Sequence, residues 1–273
     1  MIRDSAGNLY GTTYSGGVRN AGVVYELSPT GQETVLYSFT GGADGGYPYA
    51  GVIRDSGGNL YGATNSGGTA GYGVVYELDL AGSEAALYSF TGGADGAYPH
   101  NVILDASGKL YGSTSSGGAV VVGFGYGVVY ELNPAGQETL LYSFAGTDGW
   151  HPGASLARDS AGNLYGTTFL GGAYGAGTVY KLTPAGKETV LYSFTGGADG
   201  GFPNAGVIMD PAWQSLWDGY RRGRPDRHVP WQLCVPSSGV RRSLQAGHDW
   251  PGVGAVHFHG RRRRRRSLCR RSQ

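Results

Sequence analysis

Four aspartates, Asp44, Asp95, Asp148 and Asp199, sit in glycine-rich turns whose fullest form is GGADGG. Carboxylates set among glycines suit a hard cation, because Ca²⁺ selects oxygen donors. A calcium site takes about six or more oxygens, and each turn supplies one carboxylate. The favoured reading is therefore a tight turn in which Asp accepts from backbone N–H groups. No metal is expected.

Flat side chains recur beside these turns. The residue before each turn proline is Tyr47, Tyr98, His151 or Phe202, and Trp150 adjoins the third. On one exposed face, such groups could stack on sugars or peptides. Packed between repeats, they would instead fill core. These five residues are the candidate binding set.

Groups for acid–base chemistry are sparse. Residues 1–210 hold two histidines, His100 and His151, and no cysteine. Asp4, Asp55, Asp105 and Asp159 occupy equivalent turn positions, so each has a structural reason to be there. A Ser/His/Asp set cannot be assembled uniquely when Ser and Asp have siblings in other copies. A reaction site should break that symmetry. The clearest break is a longer loop, Ala119–Gly127, reading AVVVGFGYG. It is apolar and suits a contact surface. No catalytic residue and no cofactor are expected.

The elements that position these groups come from a repeat of about 50 residues. GNLYGTT, GNLYGAT, GKLYGST and GNLYGTT place Tyr10, Tyr61, Tyr111 and Tyr165 at spacings of 51, 50 and 54. VVYEL or TVYKL follows at Tyr25, Tyr76, Tyr130 and Tyr180, and LYSF ends at Phe39, Phe90, Phe144 and Phe194. Each copy has four short runs rich in Val, Ile, Tyr, Phe, Leu and Thr, which favour strands. Turns such as SPTGQE (28–33) put Pro where φ is near −65° and Gly where φ is positive, the chemistry of a type I turn plus bulge. VVYEL is apolar on both faces, as expected of a sheet packed between two others. The pattern predicts an all-β, propeller-like array of four-stranded antiparallel blades, with copies at about 1–50, 51–100, 101–154 and 155–205. Tyr25, Leu27, Tyr37, Phe39 and their counterparts are expected in its core. The array is expected to be open, with exposed end faces that promote association.

The combination D-x-x-GNLYGTT, GVVYEL, ETVLYSF and TGGADGGYPYAGV resembles the bacterial tandem-repeat family called GloVer, found in "choice-of-anchor" proteins. The resemblance covers residues 1–210. It implies a secreted or surface-anchored β-repeat protein and brings no catalytic residues with it.

The net charge of +1 hides two opposite halves. Residues 1–210 hold 7 Lys/Arg against 17 Asp/Glu, a net of −10; residues 211–273 hold 14 Arg against 3 Asp, a net of +11. Four of the five tryptophans and both cysteines, Cys234 and Cys269, lie in the second half. This tail reads as a fifth repeat in the wrong frame. Trp has one codon, TGG, so a one-base shift makes each Trp a Gly, and 213–218 then permits GNLYGT. Arg codons of the CGN type shifted alike become Gly, Ala, Asp or Val, which covers the GGADGG turn at 261–265. The expectation is a frameshifted fragment whose tail, 211–273, is disordered. The run Arg261–Arg266 would otherwise suggest nucleic acid. In that setting nucleic-acid binding is not expected. No apolar run long enough to span a membrane occurs.

The expected function is a non-enzymatic extracellular or surface module with a binding or structural role, its partner a carbohydrate or protein at the loop face. The runner-up is a propeller hydrolase or lyase acting on polysaccharide.

Overall fold

A computed structural model describes residues 1–119 and 124–209. They belong to one compact unit, Met1–Arg222. The tail, 211–273, on which the expectations of a frameshift and of disorder fall, and positions 120–123 of the 119–127 loop lie outside the described residues.

Sixteen strands form four antiparallel sheets, and no helix occurs among the described residues. The first blade comprises β1 (Ile2–Arg3), β2 (Leu9–Thr13), β3 (Val23–Leu27) and β4 (Glu33–Ser38). The second holds β5 (Ile53–Arg54), β6 (Leu60–Thr64), β7 (Val74–Leu78) and β8 (Glu84–Ser89). The third holds β9 (Ala97–Leu104), β10 (Leu110–Ser116), β11 (Val128–Leu132) and β12 (Glu138–Ser143). The fourth holds β13 (Ala157–Arg158), β14 (Leu164–Thr168), β15 (Thr178–Leu182) and β16 (Glu188–Ser193). Strands within each blade pair in chain order, the meander expected of a propeller blade.

The turns follow their sequence chemistry. Ser28 donates its N–H to Gln32 O at 2.9 Å, Gly31 donates to Ser28 O at 2.9 Å, and Gly31 has φ 85°. That is a type I turn closed by a glycine bulge. The GNLYG glycine has a separate cause. Gly62 lies opposite Tyr76 in the β6–β7 ladder, and a Cβ there would meet the tyrosine Oη at 2.4 Å. The phenol ring lies across the neighbouring strand, so only glycine fits beneath it.

The core sits between sheets. One cluster joins Val24 and Phe39 of the first blade to Leu60, Tyr76 and Leu78 of the second. Equivalent clusters join the second blade to the third and the third to the fourth. Tyr76, Tyr130 and Tyr180 are fully buried, as are Phe39, Phe90 and Phe144. The burial expectation fails at two places. Tyr37, Tyr88, Tyr142 and Tyr192 are half-buried, because their hydroxyls reach out to the turn aspartates. Tyr25, Leu27 and Phe194 are also half-buried, because they face outward at the two ends of the array.

Besides the longer loop 119–127, the first strand of the third blade departs from repetition. In the second blade Ile53 pairs Tyr61 and Gly46 pairs Ser66, which leaves two more residues on the first strand than on its partner. The ladder breaks there, and β5 is short. The third copy is one residue shorter between Tyr98 and Asp105 than the second is between Tyr47 and Asp55. The excess drops to a single residue, which an antiparallel ladder absorbs as one bulge. Strand β9 therefore runs unbroken over eight residues, with its irregularity between Gly112 and Thr114. A partner change accompanies this. Thr12 Oγ1 donates to Ala50 O in the extra segment at 2.7 Å, and Thr167 does the same to Ala205 O at 3.2 Å. The equivalent residue facing β9 is Ala63, which has no hydroxyl to donate.

Candidate functional site

The turn aspartates are engaged by their own turns. Asp44 Oδ2 accepts from Thr40 N at 2.7 Å and from Tyr37 Oη at 3.1 Å, and its Oδ1 accepts from Thr40 Oγ1. Asp95 repeats the arrangement with Thr91 and Tyr88. Asp4 accepts from Asn8 N at 2.9 Å, Asn8 Nδ2 at 3.1 Å and Tyr10 Oη at 3.0 Å. Asp55 and Asp159 hold Asn59 and Asn163 in the same way, and Asp105 holds Lys109 N and Tyr111. These donors bind the charged form. They outweigh the opposing effect of burial, and the Asp105 and Asp159 carboxyls are held below the usual range.

The aromatic positions before the prolines form a structural strap. Tyr47, Tyr98, His151 and Phe202 all have φ between 56° and 58°, the left-handed region that non-glycine residues rarely adopt. The backbones of Tyr47, Tyr98 and His151 each tie two blades together, and Phe202 N–H donates to Ala176 O of the fourth blade at 2.7 Å. Tyr47 N–H donates to Ala21 O of the first blade at 2.7 Å, and Tyr47 O accepts from Asn65 N of the second at 3.2 Å. His151 likewise donates to Tyr126 O at 3.1 Å and accepts from Phe169 N at 3.0 Å. The rings pack locally: Tyr47 on Tyr14 at 5.3 Å, Tyr98 on Tyr72 at 5.8 Å, and Phe202 on Phe169 at 5.5 Å. Trp150 stacks on His151 at 4.9 Å and meets Tyr126 edge-on.

Two of the five, Tyr98 and His151, also line a cavity of about 910 Å³. Its walls come from the first-strand segments of consecutive copies: Tyr49, His100, Asn101, Ser155 and Asn204. The ends of the second strands add Asn65, Ser115 and Phe169, and Phe124 borders it from the longer loop. Tyr47, Trp150 and Phe202 are not among its lining residues. The lining holds no Asp, Glu, Lys or Arg.

The two histidines of the repeat region thus meet in one place. His100 packs its ring 5.8 Å from Tyr49. On its other side a Cβ at Gly153 would lie 3.2 Å from His100 Nε2, so the glycine admits the imidazole. Burial, and secondarily the nearby His151, hold the His100 pKa below its ordinary value; burial alone lowers that of His151. Both rings are neutral at pH 7. Each then offers one donor and one acceptor nitrogen.

The model of the Gloeobacter/Verrucomicrobia repeat matches residues 1–217. The chain belongs to that family. No curated protein matches it by sequence. Among solved structures, this repeat-family chain is similar to a periplasmic gluconolactonase from Pseudomonas aeruginosa, at 16% identity over 69% of this chain and 56% of that one, TM-score 0.44. It is similar to a gluconolactonase from Xanthomonas campestris at 13% identity, over 66% of this chain and 75% of that one, TM-score 0.35. A dipeptidyl peptidase 4 from Porphyromonas gingivalis matches at 13% identity, over 66% of this chain and 24% of that one, TM-score 0.38. The chain spans under two thirds of the length of several of its structural matches.

In this Gloeobacter/Verrucomicrobia repeat chain, sequence reasoning missed Tyr49, His100 and the asparagines Asn65, Asn101 and Asn204 as a set. A signal was present. Position 49 in the repeat reads Tyr49, His100, Gly153 and Asn204 in successive copies, while its neighbours stay nearly constant. Variation within an otherwise uniform strap marks the side chains that face the cavity.

Proposed function

We propose that the array is a non-enzymatic binding module of an extracellular or surface protein, and that its cavity takes a neutral, polyhydroxylated ligand, a carbohydrate. The observation that carries this reading is the lining. Tyr49, Tyr98 and Phe169 supply flat apolar faces; Asn65, Asn101, Asn204 and two neutral imidazoles supply paired donors and acceptors. Such a mixture suits sugar rings, whose faces are apolar and whose rims are hydroxyls. The cavity's volume lies within the range of ligand pockets generally. The array's acidic balance does not extend into the cavity, so ionic ligands find no counter-charge there.

Calorimetric titration of neutral oligosaccharides into the 273-residue chain tests this reading. At least one is expected to bind, and Tyr49→Ala or His100→Ala is expected to weaken it about tenfold or more. Binding that ignores both substitutions, or no binding across a broad glycan panel, overturns it. The location is tested separately by fractionation of source cells, with the chain expected outside the cytoplasmic fraction.

One observation favours the second reading, a hydrolase or lyase acting on polysaccharide: His100 and His151 are unique in the array and converge on one cavity. Incubation with the bound oligosaccharide decides between them. Product formation abolished by His100→Ala supports the enzyme, and recovery of intact ligand supports the binding module.

A further inference from the structure

We propose that two copies of this chain dock head to tail, the face bearing Tyr25 and Leu27 of one copy covering the face bearing Phe194 and Leu191 of the other. The internal seams show what each face accepts. Phe39 meets Tyr76, Phe90 meets Tyr130, and Phe144 meets Tyr180, each at 5.1 Å and near edge-to-face. In every seam the earlier blade supplies the phenylalanine and a leucine three positions before it, Leu36, Leu87 or Leu141. The later blade supplies Tyr and Leu two apart on its third strand.

The two end faces are the halves of one more seam. Phe194 contacts only its own Tyr192 among the described aromatic pairs, and Leu191 is 37% exposed where Leu36, Leu87 and Leu141 pack against the neighbouring core. At the other end Leu9, Tyr25 and Leu27 are half-buried, whereas Leu60, Tyr76 and Leu78 of the second blade are buried. A cavity of about 560 Å³ lies open beside Gly11, Tyr14 and Tyr25. No core cluster among the described residues joins the first blade to the fourth. The described residues therefore leave both end faces of the array uncovered.

The occupant must present a strand with Tyr and Leu two apart. Residues 211–273 carry one tyrosine, Tyr220, and Arg222 stands two positions on. That segment lacks the chemistry of the seam, whereas the head of a second copy has it in full. Docking of this kind is heterologous: the pair buries one head against one tail and again presents one of each. Closure of both seams between two copies would give a ring of eight sheets, within the range known for propellers.

Sedimentation velocity on the 273-residue chain, with Tyr25→Asp and Phe194→Asp, tests the proposal. The unsubstituted chain is expected to associate with rising concentration up to about 100 μM. Each substitution alone buries a charge in every seam that would form and should weaken association about a hundredfold or more. An equimolar mixture of the two variants retains one intact head and one intact tail, and is expected to recover a 1:1 complex. A chain that stays monomeric, association that survives both substitutions, or a mixture that stays monomeric overturns the proposal. Circular dichroism and melting of each variant confirm its fold; if an aspartate variant does not fold, the milder pair Tyr25→Ser and Phe194→Ser gives the same complementation readout.

Discussion

Phe39 and Tyr76 meet edge-to-face across the seam between the first and second blades, their centroids 5.1 Å apart and both side chains fully buried. The same relation joins each later pair of blades. Stability in this array is therefore built joint by joint between nearest neighbours rather than around one shared core.

Truncation at an internal joint should be costly and at the terminal one mild. Phe90→Ala is expected to destabilise the array by about 3–5 kcal/mol, the range for a large aromatic lost from a core. Phe194→Ala, at half-buried Phe194, should cost less than about 1 kcal/mol. Urea melts at submicromolar protein, below any association, read both values. Equal losses would show that the terminal face is already covered.

Removal of one buried hydroxyl should be harmless. Tyr76 Oη has no hydrogen-bond partner and lies over Gly62. An unsatisfied buried polar atom costs about 1–3 kcal/mol, so Tyr76→Phe is expected to be neutral or to stabilise by about 1 kcal/mol. A loss above about 1 kcal/mol in the same melts would reveal a partner for the hydroxyl.

The seams also predict a pH dependence. Burial, reinforced by Asp44, pushes the Glu84 carboxyl up to about 7; burial with Asp95 and with Asp148 pushes Glu138 to about 6 and Glu188 to about 7. A carboxyl raised in the folded state binds more protons folded than unfolded. Its contribution is thus fully present below the ordinary carboxylate range and is lost as pH rises through about 6–7. Glu84→Gln and Glu188→Gln should raise the melting temperature by about 1–3 °C at pH 8 and by nothing measurable at pH 4. A gain independent of pH would show that these carboxyls are not held protonated.

Ligand binding in the cavity should fall in acid. Burial lowers the pKa of both His100 and His151, so both are neutral through pH 7–8. Affinity for a neutral ligand is expected to stay level there and to drop once the imidazoles gain protons below their ordinary range. His100→Asn should flatten that profile. A wild-type profile already flat through mild acid would remove both rings from the contact.

The four sheets and their antiparallel strands were legible in the sequence because the repeat states each of them more than once, whereas which aromatic residues meet across each seam was not. The half-burial of Tyr37 and its counterparts was not, since LYSF reads as uniformly apolar. It takes the structure to show the tyrosine hydroxyl turned toward Asp44. The candidate site was legible in part. Tyr98 and His151 line the cavity, but the residue type that marks the strap reports the left-handed link between blades rather than the cavity itself. Tyr49 and His100 follow the prolines instead of preceding them, and their convergence depends on which way each first strand turns. The spacing of 50 between Tyr61 and Tyr111, against 51 and 54 elsewhere, recorded the shortened segment between Tyr98 and Asp105. Its meaning emerges only when the ladder is counted, and Ala63 in place of Thr12 or Thr167 then falls into line.

The unbroken strand β9 has a consequence for how a ligand would sit. Four matching walls would offer a guest several rotational registers of equal energy, and a guest that can seat itself in any of them is held in none. The shortened segment sets one wall apart, and that wall carries His100 where the other copies place Tyr49, Gly153 and Asn204. One missing residue thus acts as a keyway: under the proposed binding role, a guest would meet one wall unlike the others and so have a reason to prefer one orientation.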